Sequence, residues 1–331
     1  MPTRLKDLVL TMYKRRSSVK VLLSLVALAL LLLCSCFAER SAQVEENDES
    51  VTFFDALGQK VSIKKGTVRA ACLTGSFADV WTLSGGRVCA AADDAFDDFG
   101  LCREGVSNLG KTKNPNLESL IASDPDLVIA SADTAADVGM KDVLLDAGID
   151  VVYFDVDCFD DYLLMLDICT DITGRKDLYA KNGLEIKETV DGIKEEFLQK
   201  DFPSEKKTYL FLRASAGYIR AKGSDGTVLG EMLSDLGFIN IADKDTALLE
   251  DLSIESIMSA DPYRIFIVQV GDDRDAVQEN IKRMMEEAPA WQSLSAVKEN
   301  RVHNLDKRLF NLKPNALWGE AYETLCKLVA E

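Results

Sequence analysis

The sequence predicts an α/β fold of two Rossmann-like lobes, each a parallel sheet covered by helices, joined by one long α-helix. Three observations predict it. The stretch Arg175 to Lys200 carries a helical apolar stripe. Two similar segments flank that stretch, one on each side. Around both, short apolar runs alternate with amphipathic ones, the order that builds parallel sheets with helices on their faces.

The joining stretch reads RKDLYAKNGLEIKETVDGIKEEFLQK. Tyr179, Ile186, Val190, Ile193 and Phe197 recur at helical spacing, and charges fill the other faces. Pro203 closes it, because proline cannot continue a helix. At ~1.5 Å per residue the helix would be roughly 35–40 Å long. The flanking segments are NLESLIASDPDLVI, from Asn116, and SIESIMSADPYRIFIV, from Ser253. Glu118 and Glu255 align, each followed by a serine, and Asp124-Pro125 aligns with Asp261-Pro262. Each segment reads as a short helix, a proline turn and a buried strand.

Residues 1–35 read as a targeting segment. Lys14, Arg15, Arg16 and Lys20 are basic, and Val21 to Leu33 is an apolar run too short for an ordinary membrane span. It ends Leu33-Cys34-Ser35-Cys36, like a bacterial lipoprotein signal. Because Ser35 is small and Leu33 is not, Cys36 fits the lipid acceptor better than Cys34. Residues 36–50 are polar and acidic, a flexible leash. Three further units follow: an N-terminal lobe over 51–174, the connecting helix over 175–200 and a C-terminal lobe over 201–331.

The whole chain carries a formal charge of −17, and after Ser35 the balance is 32 basic to 54 acidic residues, a net of −22. That argues against nucleic-acid binding, which needs basic surface. Six cysteines remain beyond Cys36, and no two form a Cys-x-x-Cys pair, so zinc and iron–sulfur sites are poorly supported. Cys72 and Cys89 lie in strand-like apolar runs and are expected in the core.

In the first lobe, Val51 to Ile63 reads as a hairpin around Ala-Leu-Gly. Strands are expected at Arg69–Leu73, Val88–Ala92, Leu127–Ala130 and Val151–Phe154. Helices are expected through Trp81 and Leu83, near Met140–Ala147 and over Tyr162–Thr173. Asp93 to Gly110 reads as a loop, its four aspartates solvated. In the second lobe, strands are expected at Thr208–Arg213, Ile265–Val268 and Arg301–Leu305. Its helices are expected over Val228–Leu236, Ala276–Glu287 and Pro314–Val329, with a loop from Ala214 to Gly226. Ligands of such sheets bind beyond the carboxyl ends of the strands.

With the lipid-acceptor motif, the Asp-Ala-Leu-Gly hairpin, both Glu-containing repeats, the single connecting helix and the Arg-Val-x-x-Leu strand in place, the chain resembles a family. These are the substrate-binding lipoproteins of ABC importers for iron–siderophore, haem and cobalamin. The resemblance covers Val51 onward. It implies ligand held between two lobes with only small hinge motion. It also implies ABC permease and ATPase partners, a monomer outside the cytoplasm held to the membrane by lipid, and no cofactor beyond the ligand, an iron chelate. One glutamate on each lobe's outer surface would pair with permease arginines; Glu118 and Glu255 match those positions.

Ligand contacts are expected from Arg213, Tyr218 and Arg220 in the first loop of the second lobe, where guanidinium forks suit an anionic ferric chelate. Lys313 is a further candidate cation. Trp81, Phe96, Phe99, Phe310 and Trp318 would supply apolar walls. His303, the only histidine, reads as structural, and no multi-histidine metal site exists. No Gly-x-Gly-x-x-Gly, Walker loop or nucleophile–histidine set is present, so no enzyme is expected. A cobalamin carrier of the same family and a lipid-anchored sensor or adhesin remain the alternatives.

Overall fold

The computed structural model describes residues 44–330, apart from 48, 67–68, 201 and 272. The signal segment, Cys36 and the first part of the leash lie outside the described residues. Strands β1 (Glu45–Glu46), β2 (Ser50–Phe54) and β3 (Lys60–Lys64) form an antiparallel sheet. Asp55 makes its turn: Oδ1 accepts the N–H groups of Leu57 and Gln59. Gly58 there takes φ +73°, open to a residue without Cβ.

The N-terminal lobe contains β4 (Arg69–Cys72), β5 (Arg87–Ala91), β6 (Ser107–Asn108), β7 (Leu127–Ser131) and β8 (Asp150–Phe154). All pair in parallel, in the order β6-β5-β4-β7-β8. Most of their buried residues are small or β-branched, as suits parallel strands covered by helices. The Gly75–Leu83 helix enters so closely that a Cβ on Gly75 would lie 2.5 Å from Ala95 N. The expected loop after β5 opens instead with a short helix, Asp93–Asp97. Asp94 Oδ2 accepts the Gly75 N–H, so this aspartate is tied to the β4 loop rather than solvated.

The C-terminal lobe is built on β9 (Thr208–Ala214), β10 (Ile219–Ala221), β11 (Ile239–Asn240), β12 (Arg264–Gln269) and β13 (Val302–Leu305). Its order is β10-β9-β12-β13, with β11 also on β9. All pairs are parallel except β10, which turns back antiparallel on β9. β10 arises from the stretch expected to be loop. A four-residue turn makes it possible: Ser215 N–H donates to Tyr218 O, and Ser215 Oγ accepts from Gly217 and Tyr218. Each lobe buries its own apolar cluster, one around Val128 and Tyr153, the other around Leu212 and Ile267.

The two repeats fold alike. Asn116 and Ser253 are the N-caps, accepting from Ser119 and Ser256 N–H. Leu120 and Ile257 are fully buried. Asp124 and Asp261 end the helices at φ +50° and +38°. The strands that follow, β7 and β12, are interior strands of their sheets.

The connecting helix runs from Lys176 to Leu198, with a π turn at Ala180–Leu184. That turn releases the Asn182 carbonyl to the Tyr162 hydroxyl, while Asn182 Nδ2 donates to Leu83 O. Val190 and Phe197 are buried, as the stripe requires. The last helix, Trp318–Ala330, lies along it; a Cβ on Gly319 would stand 3.1 Å from Thr189 Cγ2. Asp235 pins both, accepting from Lys194 and Tyr322.

Candidate functional site

The carboxyl ends of the N-terminal strands meet the segment that follows β13. Lys307 pairs with Asp98 at 2.5 Å, Arg308 with Asp79 at 3.2 Å and Lys313 with Asp157 at 3.0 Å. Asn315 Nδ2 donates to Ser76 O and Asp79 Oδ2. The Arg308 guanidinium also lies 4.1 Å over the Phe99 ring. The seam is therefore acidic on one lobe and basic on the other. Each cation named on this segment is matched to a carboxylate.

Burial dominates the titration of the acidic wall. It pushes the carboxyls of Asp79 and Asp94 up, in Asp79 against the opposing pull of Asn315 and Arg308. Asp137, fully buried, is raised to about 7 by burial, opposed by the Ser131 N–H and assisted by Asp94. Side-chain oxygens of Asp133, Asp155 and Asp157 lie within 4.8 Å of one another. Asp155 is raised to about 6, by burial first and then by Asp157 and Asp133, with Lys313 pulling it down.

A second set of cations is arranged differently. Arg213 on β9 stands opposite Arg220 on β10. The Arg220 guanidinium lies 5.1 Å over the Tyr218 ring, and Tyr218 is exposed. Arg213 Nε is buried without a hydrogen-bond partner. Lys222 joins them: its ammonium is lowered by burial, then by Arg213 and Arg220. Among the described residues, no ion pair joins any of these three cations to a carboxylate. Lys222 lines a concavity of about 730 Å³ with Ser224, Thr227 and three carboxylates, Asp225, Glu231 and Asp243. Gly226, on the same wall, faces Asp157 across the seam. A further concavity of about 490 Å³ opens beyond β12 and β13, lined by Gln269, Arg274, Asn304 and Lys307.

Of the expected contact residues, the structure brings Arg213, Tyr218 and Arg220 together on one hairpin. It places others elsewhere. Trp81 is fully buried, its indole N–H donating to Arg87 O, and is core rather than pocket wall. Phe310 and Trp318 are buried as well, and Trp318 packs on Phe159 and Tyr322. Phe96 is covered by the Arg103 guanidinium at 4.4 Å. Lys313 is spent on Asp157 and is no free cation. Fully buried rings serve packing because a cleft wall must keep a face open to its ligand. Lys222 went unnoticed; its place two residues after Arg220, on the same pleat face, was the available signal. His303 on β13 stacks on Phe266 of β12. Cys72 and Cys89 are in the core, as expected.

Glu118 and Glu255 are exposed, each in the first turn of its repeat helix. No helix among the described residues is long and apolar enough to cross a membrane.

This arrangement has relatives. The chain is similar to the iron-uptake system-binding protein of Bacillus subtilis (strain 168), 25% identical over 195 residues, which is 59% of each chain. The match thus spans less than two thirds of that relative's length. It is also similar to the Fe(3+)-citrate-binding protein YfmC of the same organism, 22% identical over 293 residues, covering 86% of this chain and 89% of YfmC. In fold it is similar to Staphylococcus aureus IsdE complexed with heme, with TM-score 0.66, 15% identity, and coverage of 80% of this chain and 100% of IsdE. The family model described as periplasmic binding protein matches residues 71–309, a span that takes in both parallel sheets and the helix between them, and the chain belongs to that family.

Proposed function

We propose that the chain is an extracytoplasmic substrate-binding lipoprotein of an ABC importer, anchored through Cys36. It captures an iron chelate, a ferric siderophore or haem, between its lobes and delivers it to the permease. The observation that carries this reading is the cluster of Arg213, Arg220 and Lys222, uncompensated in a chain of net charge −17. Holding three cations together with none of them ion-paired costs energy that an anionic ligand repays. The relatives' names, iron-uptake and Fe(3+)-citrate-binding, support an iron chelate as the anion. Tyr218, exposed beside Arg220, offers an aromatic face to the same ligand.

Delivery uses Glu118 and Glu255, one on each lobe. Both carboxylates are exposed, and neither is ion-paired within the described chain. Two separated charges fix orientation and speed docking more than they add affinity.

Calorimetric titration with ferric citrate, haemin and cyanocobalamin tests the ligand class. Binding of ferric citrate or haemin, lost in Arg213→Ala, is the expected result. Tight binding of cyanocobalamin alone, indifferent to Arg213→Ala, overturns it.

A further inference from the structure

The two repeats agree in more than their glutamates. Three residues after Glu118 comes Ile121, and three after Glu255 comes Met258. Residues three apart lie side by side on a helix surface. Both apolar side chains are exposed, Ile121 by 39% and Met258 by 46%. Their predecessors, Leu120 and Ile257, are fully buried. Each helix thus keeps one apolar residue for its own core and sets the next outside, against an unpaired carboxylate. A single exposed apolar residue needs no explanation. The same residue class at the same exposed position in both copies, with caps and terminating aspartates also matched, is a different observation.

We propose that Ile121 and Met258 are the apolar halves of two equivalent docking contacts, each seated in the permease beside the cation that receives Glu118 or Glu255. This rests on the docking reading of the two glutamates. A carboxylate next to an apolar side chain complements a surface that pairs a cation with a small apolar recess. Two such patches on one chain, similar but not identical, fit a partner that repeats its own surface about a two-fold or pseudo-two-fold axis. A permease built from two equivalent halves would have that property. Desolvation by the apolar neighbour strengthens each charge pair, as the ring of contacts around an interface anchor does by excluding water. Methionine at one site suits the mismatch between the repeats, because its unbranched chain adapts to a recess it does not fit symmetrically.

The test uses the full chain in its host cells. A photo-reactive benzoylphenylalanine replaces Ile121, Met258 or, as control, Val143, which is also exposed but lies on another helix of the N-terminal lobe. Irradiation should join positions 121 and 258 to the same polytopic membrane permease, with yields several-fold above position 143. Adding Glu118→Arg with Glu255→Arg to the same chains should abolish those adducts. Adducts at 143 as strong as at 121 and 258, adducts to a soluble protein, or none at 121 and 258 overturn the inference. Permease adducts that survive the charge reversal keep the apolar contact and overturn the glutamate reading instead. Ile121→Ser with Met258→Ser should cut association as far as the double glutamate variant does. Loss with the glutamates but not with the serines leaves glutamate docking standing and removes the apolar contact.

Discussion

Lys313 Nζ lies 3.0 Å from Asp157 Oδ1, joining the segment after β13 to the loop after β8. The pair links the titration of the neighbouring Asp155 to the closure of the seam. Asp157 raises the Asp155 carboxyl and Lys313 lowers it. Lys313→Met should therefore move the Asp155 pKa further up, and Asp157→Asn should move it down, read by carbon NMR of the carboxyl. Both partners are about a quarter exposed, so the pair is only partly screened by solvent. Each substitution leaves a partly buried charge unpaired and should cost about 1–3 kcal/mol of stability. Movement of Asp155 in the same direction in both variants would contradict the linkage.

Arg213 is the residue whose loss should be felt most by an anionic ligand. Its buried Nε has no hydrogen-bond partner among the described residues. Arg213→Ala should weaken binding of the ferric chelate by about 2–5 kcal/mol, roughly 30- to 5000-fold. Arg213→Lys should recover only part, because a point charge replaces a planar fork. Lys222→Ala should relieve repulsion on the two arginines while removing a charge, so its loss should be smaller. Equal losses for Arg213→Ala and Lys222→Ala, with none for Arg213→Lys, would mean that only total charge matters.

Asp137 gives stability a pH dependence with a definite sign. Its folded carboxyl sits at about 7, above the ordinary value of 3.8. Between those two values the folded chain holds a proton that the unfolded chain has released. Stability therefore falls as pH rises through that window and is lowest above it. Asp137→Asn should flatten this part of the profile and raise stability at pH 8 by about 1–4 kcal/mol. Urea unfolding at pH 4, 6 and 8 measures it. An unchanged slope in the variant would assign the dependence elsewhere, Asp94 being the next buried carboxyl.

Anchoring should depend on Cys36. Labelling cells with a palmitate analogue should mark the wild-type chain and not Cys36→Ser. Labelling that persists in Cys36→Ser and disappears in Cys34→Ser would move the acceptor by two residues.

What the sequence determined by itself was the part of the fold written in periodicity and punctuation. The stripe through Val190 and Phe197 specified a helix with one buried face, and that is the face the structure buries. The matched segments at Asn116 and Ser253 specified cap, buried residue, turn and interior strand, because each step is a local requirement of backbone chemistry. Both sheets followed from the alternation of apolar runs and amphipathic stretches. The basic hairpin was legible in part, since Arg213, Tyr218 and Arg220 sit close in sequence.

Only the tertiary structure decided which candidate side chains are buried in a core and which stay open. Trp81 and Phe310 look like pocket residues in sequence, because an aromatic side chain near a strand end is compatible with core or cleft. Burial resolves the choice, and it depends on helices contributed from elsewhere in the chain. The partners of Lys307, Arg308 and Lys313 lie between 156 and 229 residues away along the chain in the two pairs that also form hydrogen bonds. No local pattern encodes such pairs. The β10 strand likewise required a turn and a free edge on β9 beside β11, conditions set by the sheet rather than by its own three residues. Local sequence fixes the elements; the neutralisation of one set of cations and the isolation of another arise only when distant carboxylates are brought to the seam.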